Sequence, residues 1–145
     1  MTISSFQAAK IVCSLGEGII TNLKLQKILY LCHLFYLGET NTPLIDEEFE
    51  AWYYGPVLPS VYEKMKLFGN RPIRDIFHNV SLDENAPETF FIQEKFREIS
   101  NKSAWDLVLM THLKGGAWEK HFDNCDINVK IPTADIIHEY MKFYA

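Results

Sequence analysis

Leu23-Lys24-Leu25-Gln26-Lys27-Ile28-Leu29-Tyr30 opens a run that stays mostly apolar to Leu37, and Ala51-Trp52-Tyr53-Tyr54-Gly55-Pro56-Val57 follows a short way on. Placed on a helix, the first run carries two apolar stripes. Leu25, Ile28, Leu29, Cys32 and Tyr36 form one, and Leu23, Tyr30, Leu34 and Leu37 form the other. A helix apolar on both sides belongs at the centre of a fold, not on its surface. Lys24 and Lys27 fall on the polar strip that remains. The second run is an aromatic cluster in which Gly55-Pro56 reads as a turn, preceded by a weakly alternating Phe49 to Tyr53 that suits one short extended piece.

On the N-terminal side, Ser4 or Ser5 can cap a helix reaching about Leu15, with Phe6, Ala9 and Cys13 on one face. Gly16-Glu17-Gly18 ends it, and Thr21 or Asn22 caps the central helix, which Gly38 is expected to close. Beyond the aromatic cluster, Pro56 or Pro59 suits the first turn of a third helix carrying Val61, Met65 and Phe68 up to Gly69-Asn70. Arg71 to Pro87 reads as a loop with a short piece around Ile73 to Phe77, and Glu88 to Ile99 as a helix. Ser103 to Leu113 is predicted helical, with Ser103 and Asp106 in capping-box spacing and Trp105, Val108, Leu109 and His112 along a face. Gly115-Gly116 breaks that helix, and Trp118 opens a short helical turn. A last helix starts near Thr133, with Ile136, Ile137, Tyr140, Met141 and Tyr144 inward. The expectation is a mainly α, compact bundle of about six helices around Leu23–Leu37, one domain over residues 1–145, with room for one short β pair near Trp52.

A composition of 48% hydrophobic and 23% charged residues is globular, not disordered. Ile28 to Leu37, interrupted by His33, is too short for a bilayer helix, and Glu17 breaks the one candidate signal peptide, so a cytoplasmic chain is expected. Cys13, Cys32 and Cys125 share no short spacing and read as reduced thiols. The net charge of -5 includes an acidic run at Asp46, Glu47, Glu48 and Glu50, while basic residues are scattered. A phosphate-binding surface needs a basic stripe, so nucleic acid is disfavoured and a basic protein partner suits the charge.

Sites of chemistry are hard to assemble from these residues. His121 and Cys125 share a helix face but lack two further ligands for a zinc site, and Cys32 and His33 diverge as helical neighbours. Thr111-His112 offers a hydroxyl beside a base without an oxyanion pattern, and Gly16-Glu17-Gly18 is no phosphate loop. No catalytic residue, metal or cofactor is expected. Phe6 to Phe35 has a helix-turn-helix outline, but its second helix lacks the exposed polar face a groove requires. Surface-facing rings at Tyr53 and Tyr54 suit a protein interface, with Trp52 set towards the core. Lys24 and Lys27 suit pairing with acidic groups of a partner or of this chain, Lys27 with the acidic run before Trp52. His112 is expected to hydrogen-bond the Trp105–Trp118 region to a neighbouring helix.

Three motifs taken together resemble the Panacea domain of SocA-like antitoxins and phage-associated GepA-like proteins. They are the Leu23–Tyr30 run, Glu50-Ala51-Trp52-x-x-Gly55-Pro56-Val57-x-Pro59-x-Val61-Tyr62, and Trp105-x-Leu107 with Thr111-His112 and Trp118. The resemblance implies an antitoxin that neutralises a partner toxin by protein–protein contact, and SocA-like members also deliver a toxin to a bacterial protease. The motifs do not choose between the two modes. The expected binding module places partner contacts at Lys24, Lys27, Tyr53, Tyr54, Gly55 and Pro56. Trp52, Trp105, Thr111, His112 and Trp118 form its framework. The competing readings are a small nucleic-acid-binding regulator and a hydrolase using Thr111 and His112.

Overall fold

Ser4 caps the first helix. Its hydroxyl accepts from the Gln7 amide at 3.1 Å, while the Gln7 side-chain oxygen accepts from the Ser4 amide at 2.9 Å. The computed structural model describes residues 2–73, 76–126 and 128–145. Helix α1 (Ser5–Leu15) buries Ala8, Ala9, Ile11 and Val12, and leaves Phe6 and Cys13 at the edge of that face. The chain leaves it through two left-handed residues, Glu17 and Gly18.

Thr21 then caps α2 (Asn22–Thr40), its hydroxyl accepting from the Lys24 amide. Most of this helix is buried, as its two apolar stripes require. It packs against α1, α4 (Pro87–Ile99), α5 (Ala104–Thr111) and α7 (Thr133–Phe143). Gly38 does not close it. The helix continues to Thr40 and is capped by Asn41 at φ 59°, while Gly38 provides the bare surface on which the Tyr140 ring of α7 rests. A side chain at position 38 would collide with that ring, so the glycine serves packing instead of termination.

The aromatic cluster forms a hairpin of β1 (Glu50–Trp52) and β2 (Gly55–Val57), paired Glu50 to Val57, Ala51 to Pro56 and Trp52 to Gly55. That register puts the turn at Tyr53-Tyr54, two residues earlier than the Gly55-Pro56 turn expected from sequence. The outer edge of β1 is covered by the segment leading into α7, with Ala51 N donating to Val129 O at 2.9 Å and Ile131 N to Phe49 O at 2.8 Å. Pro59 occupies the first turn of α3 (Pro59–Met65), and a 3-10 turn at Lys66–Phe68 ends at Gly69 with φ 58°. Part of the piece expected at Ile73 to Phe77 lies outside the described residues; Ile73 and Phe77 themselves are buried.

Helix α5 stops at Thr111, and its inner face is Leu107, Val108 and Thr111. Trp105 and Leu109, expected on that face, are 57% and 56% exposed, because the inward stripe runs through the other side of the helix. After α6 (Ala117–His121), α7 buries Ile136 and Glu139 and exposes Met141, against the expectation that Met141 turns inward. Tyr140 and Tyr144 pack edge-on against Phe35 of α2. Among the described residues there are seven α-helices and one two-stranded antiparallel sheet, a mainly α bundle in which no helix is long and apolar enough to cross a membrane.

Candidate partner-binding site

Two adjacent side chains of α2 hold the hairpin in place. The Gln26 side-chain oxygen accepts from the Leu58 amide at 2.8 Å, and the Lys27 Nζ donates to the Pro56 carbonyl at 2.8 Å. Asn22 Oδ1 in turn accepts from Gln26 Nε2 at 3.3 Å, fixing the orientation of the amide. The chain from Pro56 to Leu58 thus hangs from the first turns of α2. Lys27 is not on a solvated strip: its residue is fully buried, and burial pushes its amine down to about 7. Nor does it pair with the acidic run, because the Glu50 carboxylate accepts from Trp52 Nε1 at 3.0 Å and lies 3.8 Å from Lys130 Nζ. Lys24 is half-buried and donates to the Ser100 carbonyl at 2.7 Å, tying α2 to the end of α4.

Gly55 is needed for two reasons. Its φ of 118° is one that L side chains rarely adopt, and a Cβ there would stand 2.9 Å from both Lys27 Nζ and Thr111 Oγ1. The glycine therefore lets α2, β2 and α5 meet at one point. Thr111 donates to the Val108 carbonyl at 2.8 Å. Among the described residues it makes no hydrogen bond to His112, so the arrangement a hydrolase would need, hydroxyl bonded to its base, is not what these neighbours form.

His112 stacks flat on Trp118, with centroids 3.8 Å apart and planes at 4°, and Trp118 stacks on Phe122 at 4.7 Å. Trp118 Nε1 donates to the Trp52 carbonyl at 2.6 Å, so this stack is fastened to β1. His112 was expected to bond a neighbouring helix. Its ring instead bonds the backbone of Tyr54 in the hairpin, while Nε2 is buried with no partner among the described residues. Burial, then the nearby Lys27 charge, holds its pKa down against the opposing effect of the Tyr54 bond.

Sequence reasoning missed Glu139. Its Oε1 accepts from Tyr30 Oη at 3.0 Å and from the Ala117 amide at 2.8 Å, joining α7, α2 and the start of α6. Burial raises its pKa above the ordinary carboxyl value, and Oε2 has no partner among the described residues. A single glutamate on an amphipathic helix gives no signal of this; only the packing does.

On this base sit the exposed rings. Tyr53 and Tyr54, 66% and 51% exposed, meet edge-to-face at 5.0 Å; Tyr54 neighbours exposed Trp105 at 6.2 Å, and Tyr53 neighbours Phe122 at 6.2 Å. Trp52 is half-buried and packs edge-on against Tyr62 at 4.8 Å. Gly55 and Pro56 are buried, so of the expected contact residues in the hairpin only the two tyrosines reach the surface. Beside them opens a groove of about 330 Å³, lined by Leu23, Trp52, Tyr54, Val57 and Tyr62, with Lys27 also contributing. His121 pairs with Asp135 at 2.6 Å and Cys125 is exposed; among the described residues no cluster of three His, Cys, Asp or Glu could hold a metal.

The family model for SocA-like antitoxins, the Panacea domain, matches residues 25–119. The chain belongs to this family. The matched span holds Gln26, Lys27, the hairpin, Thr111, His112 and Trp118, and stops short of Glu139. The matched span therefore contains the residues that dock the hairpin onto α2. Antitoxin SocA of Caulobacter vibrioides (strain NA1000 / CB15N) is 36% identical over 110 residues, covering 69% of this chain and 58% of its own length. The chain thus spans less than two thirds of that relative. No solved structure matches this Panacea chain.

Proposed function

We propose that this chain is the antitoxin of a toxin–antitoxin pair and neutralises its partner toxin in the cytoplasm by direct protein contact, without chemistry of its own. The observation that carries this reading is the exposed Tyr53, Tyr54 and Trp105 on a hairpin and helix held rigidly from beneath. Exposed tyrosine and tryptophan are the residues that most often dominate interface energies, and a fixed scaffold limits the entropy lost on binding. The family adds the kind of partner, since its model describes SocA-like antitoxins and the matched relative is an antitoxin. The buried α2 supports the same reading against a groove-binding recognition helix.

Delivery of the toxin to a protease is the finer form of this proposal. It requires a second contact, and Ile19 and Leu67, 75% and 82% exposed, are apolar side chains free to make one. The test is co-expression with each adjacent gene. Growth arrest by a neighbour alone, relieved by this chain and lost again with Tyr53→Ala/Trp105→Ala, supports neutralisation through the patch. If the toxin's half-life shortens on co-expression, delivery operates; if no neighbour is toxic and none co-purifies, the antitoxin reading fails.

A further inference from the structure

The main chain on either side of Tyr53 is held by two rings from outside the hairpin. Trp118 of α6 donates from Nε1 to the Trp52 carbonyl at 2.6 Å, and the ring of His112, the residue that ends α5, bonds the backbone of Tyr54. The two rings lie flat on each other, 3.8 Å apart with planes at 4°, so neither turns without the other. Phe122 extends the stack from Trp118 at 4.7 Å and also neighbours the Tyr53 ring at 6.2 Å. These contacts form a closed circuit, from Tyr53 through Phe122, Trp118 and His112 back to Tyr54.

Stability alone does not call for this arrangement. Main-chain groups of a surface turn are satisfied by water, and both residues of this turn are exposed. A two-residue turn left to water samples several backbone conformations, each of which aims its rings differently. Helix α5 also carries Trp105 at the opposite end from His112. The His112 bond therefore ties the tip to the same helix that bears the third exposed ring, 6.2 Å from Tyr54.

We infer that His112 and Trp118 are positioning residues of the partner-binding surface: they hold Tyr53, Tyr54 and Trp105 in one mutual geometry, and set affinity through the tip instead of through contacts of their own. The inference rests on the antitoxin reading for what binds, and on the contact circuit for how the rings are placed. Affinity falls in proportion to the fraction of time the tip spends in its competent conformation. A tip released to about one tenth of that occupancy binds about tenfold more weakly.

Two substitutions keep the stack and each delete one tie. Trp118→Phe removes the N–H donor to Trp52, and His112→Phe removes the bond to Tyr54. Each full-length variant is compared with the unmodified chain by circular dichroism, by backbone amide NMR relaxation, and by affinity for the toxin identified through co-expression. Both are expected to keep the folded spectrum. Order parameters at Tyr53 and Tyr54 should fall from about 0.85 to below about 0.6, while those of buried Leu29 and Ile136 hold. Toxin affinity should weaken about tenfold. In a chain already carrying Tyr53→Ala/Tyr54→Ala, the same substitutions should change affinity by less than about twofold, because the rings they position are gone. A residue that merely stabilises the bundle gives the same loss in both backgrounds. Such additive losses overturn the inference, as do order parameters unchanged in both variants. Loss of the folded spectrum in both also overturns it and makes the stack part of the fold. If no neighbouring gene is toxic, the antitoxin reading fails alone, and the order parameters still decide whether the stack positions the tip.

Discussion

Gly55 and Lys27 depend on one another. The glycine's left-handed backbone and missing Cβ let the lysine amine reach the Pro56 carbonyl, and the amine in turn fixes the strand that contains the glycine. Gly55→Ala is expected to cost about 2 to 3 kcal/mol, since strain and overpacking act together; urea unfolding measures it, and a loss under about 0.5 kcal/mol, the range of a neutral surface change, would contradict this account. Lys27 also sets a pH dependence. Its folded pKa lies below the unfolded value of 10.5, so the unfolded chain binds more protons between about 7 and 10.5, and stability rises with pH across that window. Tm should climb between pH 7 and 9.5, and Lys27→Met should flatten the climb. Glu139 has the opposite sign: its raised pKa means the native state holds the extra proton just above 4.5, so its contribution falls as pH rises through that range. Glu139→Gln should remove this slope while keeping the acceptor for Tyr30 and Ala117. Glu139→Ala should lose about 1 to 3 kcal/mol, because it orphans buried donors.

At the scale of elements, local signals and long-range ones part company. The starts of α1, α2 and α5 were legible because Ser4, Thr21 and Ser103 act within one turn of chain. The doubly apolar α2 was legible because two stripes leave only one place for it. The turn was misplaced because Gly-Pro is ordinarily a turn signal, and here the register is set from outside the hairpin by Gln26 and Lys27. Lysine at a helical polar position reads as solvated, and Gly38 reads as a stop; both readings fail because the deciding partners, Pro56 and Tyr140, are distant in sequence. Alternation puts at least one of Tyr53 and Tyr54 at the surface, and both are exposed because they form the turn, whereas Trp105 was read inward and faces out. Tyr53→Ala/Tyr54→Ala should leave the circular dichroism spectrum and Tm nearly unchanged and weaken toxin capture by about 2 kcal/mol or more. A large fall in Tm would instead make the tyrosines part of the fold.

Across the whole molecule, buried polar groups mark two of the seams that join α2 to its neighbours, one with the hairpin and one with α7. Lys27 and Gln26 occupy one seam, and Tyr30 with Glu139 the other. Burial raises the Cys32 thiol to about 12, so a thiol reagent at neutral pH should modify exposed Cys125 and leave Cys32 untouched until the chain unfolds. Mass spectrometry of the labelled native protein checks this directly. Labelling of Cys32 at a rate comparable to Cys125 would mean that α2 opens in the native state.

The two-residue tip between the paired strands has a consequence for how such a protein changes its target. Its side chains project into solvent, while the strand is gripped through main-chain carbonyl and amide groups at Pro56 and Leu58, which are the same whatever rings stand at the tip. Replacing Tyr53 and Tyr54 with other residues alters what the molecule can recognise at little expense to the bundle below. A lineage under pressure to meet new adversaries would thus be free to rewrite its fingertips without rebuilding its hand.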